Sequence, residues 1–221
     1  MMQERQSRYC YPNSEVLINK LNLMDEELLN DIERIVTTFR ISQLECQDIS
    51  FGNYFSINSY FKIHEWIFQD IYPFAGHVRD EFIYKSNLPY HKSITPFCDP
   101  KYISSYMNDI FKKLLARVKR VKSREEFIEC ISWFYGEMNV VHPFREGNGR
   151  TLRTFMELFV KYVNSYLDIP DMEIHYSLWD DDDRKELLKS TIICSLNGDT
   201  SGIEKLFDKV LVTKKEKKKL K

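Results

Sequence analysis

One short segment, Val141 to Arg153, holds most of the residues that could do chemistry. The chain has only seven glycines, and two of them, Gly147 and Gly149, flank Asn148 in this segment. Glycine lets the backbone approach another group closely, and the free N–H groups of a helix start add positive potential. With a helix predicted to begin at about residue 150, the segment predicts an anion-binding loop at a helix N-terminus.

Four further side chains in the segment fit that anion. His142 offers a proton-transfer group near neutral pH, and Glu146 offers a hard oxygen ligand. Arg150 and Arg153 add two permanent cations with planar forks that match phosphate oxygens. Together these residue types are what a magnesium–nucleotide phosphate site requires.

Length and charge narrow the class of protein. The chain has 221 residues, of which 43% are hydrophobic and 29% charged, and a formal net charge of −1. This length suffices for one domain with a substantial core. Nucleic-acid binding domains usually carry a marked basic excess, so the balance argues against direct nucleic-acid binding.

The sequence also bears on location. No apolar run reaches the length of a membrane span, and residues 1–20 lack the apolar centre of a signal peptide. The five cysteines are dispersed, without a Cys-x-x-Cys pair, which argues against a zinc site. We therefore expect a reduced, cytoplasmic protein without membrane contact.

Hydrophobic periodicity predicts a mainly α-helical fold. Helices are predicted near residues 25–39, 57–71, 99–114, 123–138, 150–163, 182–195 and 202–212. The apolar stripe of the first comprises Leu28, Ile32, Ile35, Val36 and Phe39. The helix after the central segment has a buried stripe of Leu152, Phe155, Met156, Phe159 and Val163. Its opposite face would carry Arg150, Arg153, Thr154 and Glu157, so both arginines are expected to share one face.

Residues 77–96 do not show the helical spacing of apolar residues. Residues 77–85 are rich in β-branched and aromatic side chains, residues 86–89 form a turn signal, and residues 90–96 could return as a second strand. This pattern predicts one β-hairpin. We expect a principal domain at 1–200, including a packed N-terminal arm, and a C-terminal helix with a solvated basic tail at 201–221.

The central segment resembles a family signature. His142-Pro143-Phe144-Arg145-Glu146-Gly147-Asn148-Gly149-Arg150, followed by Arg153, matches the Fic-domain pattern His-Pro-Phe-x-(Asp or Glu)-Gly-Asn-Gly-Arg-x-x-Arg at all nine fixed positions. Residues 72–76 and 96–98 also look Fic-like. The resemblance covers most of the chain and implies a Fic-type helical bundle with one β-hairpin, called the flap.

The resemblance implies a protein adenylyltransferase that moves AMP from ATP to a Ser, Thr or Tyr hydroxyl of a target protein held along the flap. His142 would be the general base, and Glu146 would hold Mg²⁺. Nucleotide binding would fall to Lys85, Gly147, Asn148 with its side-chain amide, Gly149, Arg150 and Arg153. From the residues alone, Arg153 could instead pair with Glu157, and Lys85 could be solvated. Glu146 could complement a helix start or pair with an arginine there. The other histidines, His64, His77, His91 and His175, are expected to be structural or on the surface.

Two questions stay open at this stage. Many Fic proteins carry an inhibitory Ser/Thr-x-x-x-Glu-Gly/Asn motif, whose glutamate pairs with the second arginine of the signature, here Arg153. The nearest match in this chain is Thr200-x-x-x-Glu204 followed by Lys205, which could be a degenerate inhibitor or an ordinary helix surface. The incomplete match favours control by a separate small antitoxin protein. The alternative functions are phosphoryl transfer of the Doc type, against which Gly149 speaks, and a non-catalytic nucleotide-dependent binding module.

Overall fold

The computed structural model describes residues 6–47, 49–86 and 94–213. Within those residues the fold is mainly helical, as predicted. The helices are α1 (Glu26–Cys46), α2 (Ile57–Phe68), α3 (Ile103–Val118), α4 (Arg124–Val141), α5 (Asn148–Val163), α6 (Asp181–Asn197) and α7 (Ser201–Val210). The strands are short: β1 (Tyr84–Ser86), β2 (Ile94–Pro96), β3 (Met172–Ile174) and β4 (Leu211–Thr213).

Local sequence explains where most helices begin. The side chains of Asp25, Ser56, Ser123 and Asp180 each accept a hydrogen bond from a backbone N–H in the first turn of α1, α2, α4 and α6. Such caps satisfy donors that a helix start leaves without partners. Asp180 is the N-cap of α6, and Asp181, Asp182 and Asp183 lie in its first turn, where acidic side chains complement the helix dipole.

The core is centred on α4 and α5. The predicted apolar stripe of α5 is confirmed, since its five residues are at most 3% exposed. Rings of Phe134, Phe155 and Phe159 pack against one another, with centroids 5.4 to 6.4 Å apart. This packing fixes the two helices whose ends meet at the central segment.

The predicted stripe of α1 is not its buried face. Leu28, Ile35 and Phe39 are 47%, 67% and 60% exposed. The helix instead buries Leu29, Glu33, Thr37 and Leu44. The reason is tertiary: α1 docks through polar side chains that contact Arg150 of α5.

The predicted hairpin is present as β1 and β2, which pair antiparallel with Lys85 opposite Thr95. The first strand is shorter than predicted, because residues 77–83 run beside the segment between α4 and α5, where the Arg79 N–H donates to Pro143 O. The turn at 87–89 and the first part of the predicted second strand lie outside the described residues. The same holds for the tail at 214–221.

A second sheet was not predicted. β3 pairs antiparallel with β4, and Leu211 and Val212 belong to this strand rather than to the end of α7. The buried face of α7 lies in the same core as α4 and α5. The division at residue 200 therefore stays a prediction, and residues 201–213 pack with the rest. No helix in the described ranges is long and apolar enough to cross a bilayer.

Candidate active site

The central loop, residues 142–147, joins the end of α4 to the start of α5. His142 ends α4 in the left-handed region with φ 47°, and Gly147 precedes α5 with φ 79°. A Cβ on Gly147 would lie 2.1 Å from the ring of Phe68, which is fully buried. Only glycine fits both that conformation and that space, so the loop is tightly specified.

His142 has one ring nitrogen tied to the backbone. Its Nδ1 lies 3.1 Å from the carbonyl oxygen of Asn139, and its ring stacks on Phe97 at a centroid distance of 3.8 Å. A carbonyl oxygen can only accept, so Nδ1 carries the proton and the neutral ring has its lone pair at Nε2.

The side-chain amide of Asn148 was expected to bind a phosphate, but it is hydrogen-bonded within the loop instead. Its Oδ1 accepts from Phe144 N at 2.9 Å, and its Nδ2 donates to Phe144 O at 2.8 Å. The side chain is buried and both ends of the amide are used. Asn148 therefore closes the central loop, and only its backbone N–H can serve an anion.

The first turn of α5 has open backbone donors. No side chain among the described residues caps it, and Gly149 is exposed. The nearest atom to a Cβ built on Gly149 is Nη1 of Arg153, at 3.4 Å. Free N–H groups, the helix dipole and a guanidinium thus converge at one exposed point.

Arg150 is held by several side chains. Its Nη2 lies 2.5 Å from Glu33 Oε1 and 3.3 Å from Glu146 Oε1, and its Nη1 donates to Thr37 Oγ1 at 3.3 Å. The guanidinium also lies 4.8 Å from the ring centroid of Phe68. Arg150 is therefore fixed beside the central loop with its charge partly neutralised.

Arg153 lies near both the start of α5 and the side of α4. Its Nη1 is 3.4 Å from the Cβ position of Gly149. Burial raises the pKa of Tyr135 in α4, and the nearby charge of Arg153 opposes that rise. Thr154, which was expected on the same polar face as the two arginines, is buried.

Glu146 is the one metal ligand predicted from the sequence. Its Oε1 accepts from Gly147 N at 2.7 Å and from Arg150, while Oε2 accepts no hydrogen bond from any described residue. The side chain is 41% exposed. One free carboxylate oxygen beside an anion site fits Mg²⁺, which combines one or two carboxylates with phosphate oxygens and water. The described residues contain no cluster of three or more His, Cys, Asp or Glu side chains suited to a metal.

Comparison with known proteins agrees with this geometry. Residues 54–160 match the family model described as the Fic/DOC family. The chain is 35% identical over 167 residues to the probable protein adenylyltransferase y4lH of Sinorhizobium fredii, covering 74% of this chain and 80% of that protein. The chain belongs to the Fic/DOC family.

Two further relatives extend this result. The protein adenylyltransferase VbhT of Bartonella schoenbuchensis is 31% identical over 83% of this chain, which spans 35% of VbhT. In fold, the chain matches the crystal structure of BepC of Bartonella tribocorum, with bound AMPPNP, at a TM-score of 0.77 and 20% identity, covering 93% and 97% of the two chains. The prediction of a Fic-type protein adenylyltransferase is confirmed at the level of the family.

One residue supports the Fic loop through contacts that were not predicted from the sequence. His64 of α2, expected to be structural or exposed, is fully buried beneath the central loop. Its Nδ1 accepts from Gly76 N at 2.8 Å, so its Nε2 carries the proton and donates to Glu146 O at 3.0 Å. Burial lowers its pKa to about 3. A neutral histidine thus fixes the backbone of Glu146.

A second missed residue is Glu33 of α1, which is buried in this Fic domain. It accepts a hydrogen bond from the hydroxyl of Tyr72 while pairing with Arg150. Its polar type gave no sign of burial, and only the fold brings α1 to α5.

Two other predicted features have different outcomes. Lys85 lies in β1 at the root of the flap, and its side chain is outside the described part of the chain. Glu204 of α7 accepts from Thr200 Oγ1 at 2.7 Å, and no described contact joins it to Arg153. The degenerate inhibitory motif therefore makes a local contact within its own helix start.

Proposed function

We propose that the chain transfers AMP from ATP to a Ser, Thr or Tyr hydroxyl of a target protein. One observation carries this: the open first turn of α5 lies beside a histidine whose Nδ1 is occupied by Asn139 O. That arrangement combines an anion site with a base whose basic nitrogen is fixed as Nε2. The names of the curated relatives support the same activity.

His142 would act as the general base. The hydroxyl oxygen of the target attacks the α-phosphorus of ATP, and its proton passes to Nε2. A bond forms between that oxygen and the α-phosphorus, while the bond from the α-phosphorus to the bridging oxygen breaks and pyrophosphate leaves. Asn139 O would stabilise the resulting imidazolium through Nδ1–H.

The phosphates would be bound at the start of α5. Backbone N–H groups of Asn148 and Gly149 would meet charge as it develops on the α-phosphate. Arg153 would reach the terminal phosphates from the α4 side. Arg150 would contribute the donors that Glu33, Glu146 and Thr37 leave unused, so its main effect would be a fixed positive charge near the β-phosphate.

Glu146 would hold Mg²⁺ through Oε2, because that oxygen has no partner among the described residues. Bound there, Mg²⁺ would neutralise phosphate charge and help orient the leaving group. Lys85 in β1 would approach the nucleotide from the flap. The target segment would pair with the flap by strand addition, which requires extended backbone rather than particular side chains.

A labelling experiment tests the proposal. Purified chain is incubated with lysate protein and ATP labelled at either the α- or the γ-phosphate. We expect transfer of the α label alone; transfer of the γ label would mean phosphoryl transfer instead. Binding of ATP without any transfer would mean a nucleotide-dependent binding module.

The base is tested with His142→Ala. Transfer should be lost, while affinity for a non-hydrolysable ATP analogue stays within about threefold, because the ring is assigned no role in holding phosphate. A parallel loss of nucleotide affinity would make His142 a structural residue.

Regulation is proposed to come from a separate small antitoxin protein that carries the complete inhibitory motif. What supports this is the local contact of Glu204 with Thr200 and its lack of any described contact with Arg153. Activation of the purified chain by Glu204→Ala would contradict the proposal. A cytoplasmic location remains a proposal based on cysteine usage and composition.

A further inference from the structure

Arg79 is a fully buried cation that pairs with no carboxylate in the described part of the chain. Only 1% of it is exposed, and no carboxylate among the described residues lies within ion-pair distance. A buried charge is costly unless hydrogen bonds compensate it. The guanidinium of Arg79 donates hydrogen bonds to four backbone carbonyl oxygens, which belong to different parts of the chain.

Two of the four belong to the end of α4 and the base proposed above. Nε of Arg79 donates to His142 O at 2.8 Å, and Nη2 donates to Val141 O at 3.3 Å. The last carbonyls of a helix lack partners within the helix and attract cations. The last turn of α4 contains no basic residue, so Arg79 supplies from outside the charge that the helix end lacks.

The other two belong to the two roots of the flap. Nη1 donates to Glu81 O at 2.7 Å, just before β1, and Nη2 donates to Cys98 O at 2.6 Å, just after β2. Two backbone hydrogen bonds join the same segments: Arg79 N donates to Pro143 O at 2.9 Å, and Cys98 N donates to Val140 O at 3.1 Å. One guanidinium therefore joins three chain segments.

This junction also explains the backbone of His142. A left-handed conformation is uncommon for a residue with a side chain and requires surrounding contacts to hold it. Arg79 binds the carbonyl of that same residue, and the ring of Phe97 from the flap root stacks on its imidazole. The direction of the His142 side chain is thereby tied to the position of the flap.

We propose that Arg79 is a positioning residue that locks His142 and both flap roots into one unit. A target segment paired with the flap would then present its hydroxyl at a constant distance from Nε2 of His142. The inference rests on the proposed function for the roles of His142 and the flap, while the lock itself is a property of the fold.

The test compares Arg79→Lys with a matched control, Arg124→Lys. Lysine keeps the charge but has one nitrogen, which cannot span carbonyls on three segments. Arg124 sits at the opposite end of α4 and donates to Asp208 O and Leu211 O, both at 2.8 Å, so it is also an arginine that binds backbone carbonyls.

Three measurements are made on each variant: transfer of α label to lysate protein at saturating ATP, affinity for an ATP analogue, and amide hydrogen exchange. We expect Arg79→Lys to transfer about ten- to a hundredfold more slowly, since small misplacements of reacting groups cost that much. Analogue affinity should stay within about threefold, and exchange should rise at His142 and Cys98 but not within α5. Arg124→Lys should show none of these changes.

Several results would overturn the proposal. One is transfer of α label by Arg79→Lys at the wild-type rate. The others are amide hydrogen exchange that is unchanged at His142 and Cys98, or that rises equally along α5. If the wild-type chain transfers no label, the proposed function fails, and the exchange measurement still decides whether the lock exists.

If Arg79→Lys does not fold, the wild-type chain supplies the answer. The amides of Arg79, Cys98 and His142 should then exchange with one common opening free energy, as a single unit. Separate values for the flap root and for His142 would refute the lock.

Discussion

The buried His64 beneath the central loop makes the stability of the domain depend on pH in a way that one substitution can isolate. The ring is neutral in the folded chain, with Nδ1 accepting from Gly76 and Nε2 donating to Glu146 O. Protonation would remove the acceptor and place a charge in the core. His64→Gln keeps an amide that can replace part of this hydrogen bonding, and it has no titrating group.

The sign and size follow from linkage. The pKa of His64 falls from its ordinary 6.5 to about 3 on folding, with burial as the main cause. Between those values the unfolded chain binds more protons than the folded chain, so stability rises with pH and is lost as pH falls below 6.5. From pH 7.5 to pH 5.5 the calculated loss is about 1.4 kcal/mol from this one residue.

The measurement is urea unfolding of the wild-type chain and of His64→Gln at both pH values. The variant should be less stable at pH 7.5, by about 1–3 kcal/mol, because stacking on Phe144 and optimal hydrogen bonds are lost. Its loss between the two pH values should be smaller than that of the wild type by about 1.4 kcal/mol, since all other titrating groups are common to both. Equal losses in the two proteins would refute the assignment of a neutral, depressed His64.

Three other predictions concern the same site. Gly147→Ala should be destabilised more than Gly52→Ala in urea unfolding, by about 1–3 kcal/mol, because both glycines have positive φ but only the first Cβ would meet a buried ring; equal costs would show that the ring moves aside. Glu33→Gln should lower stability by about 1–3 kcal/mol in thermal unfolding, because it removes the buried partner of the Arg150 guanidinium. Asp181→Asn, in an exposed ion pair, should change stability by less than about 0.5 kcal/mol. A near-zero effect of Glu33→Gln would mean that solvent replaces the ion pair. Glu146→Gln should remove most of the gain in ATP-analogue affinity that added Mg²⁺ gives the wild-type chain, measured by calorimetry with and without the metal; an undiminished gain would exclude Glu146 as a metal ligand.

The parts of the fold that could be predicted from the sequence are those whose signals are local. The stripe of α5 and the presence of a hairpin each depend on residues that lie close together in the sequence. The motif segment was also placed correctly between two helices, with α5 beginning at Asn148 rather than near Arg150. That earlier start arises because the left-handed Gly147 lets the chain enter the helix at once.

The parts that were missed depend on contacts between distant segments. The apolar stripe of α1 is exposed because its polar face, with Glu33 and Thr37, meets Arg150 more than a hundred residues later. β3 and β4 are three-residue strands whose pairing brings together the segment before α6 and the segment after α7. Hydrophobic periodicity does not indicate such pairings. Glutamate is usually at the surface, so the burial of Glu33 could not be predicted from its residue type.

The motif therefore supplies the chemical groups, but residues outside it hold them in place. His64 fixes the backbone of Glu146 from α2, Glu33 fixes Arg150 from α1, and Arg79 fixes His142 and the flap roots. Each acts through a buried hydrogen bond or ion pair, whose strength depends on exclusion of water. A site whose donors are fixed before substrate arrives does not spend binding energy on arranging them. It follows that a chain with all nine motif positions intact, but with Arg79 or His64 replaced, would keep the residues of the site and lose its geometry.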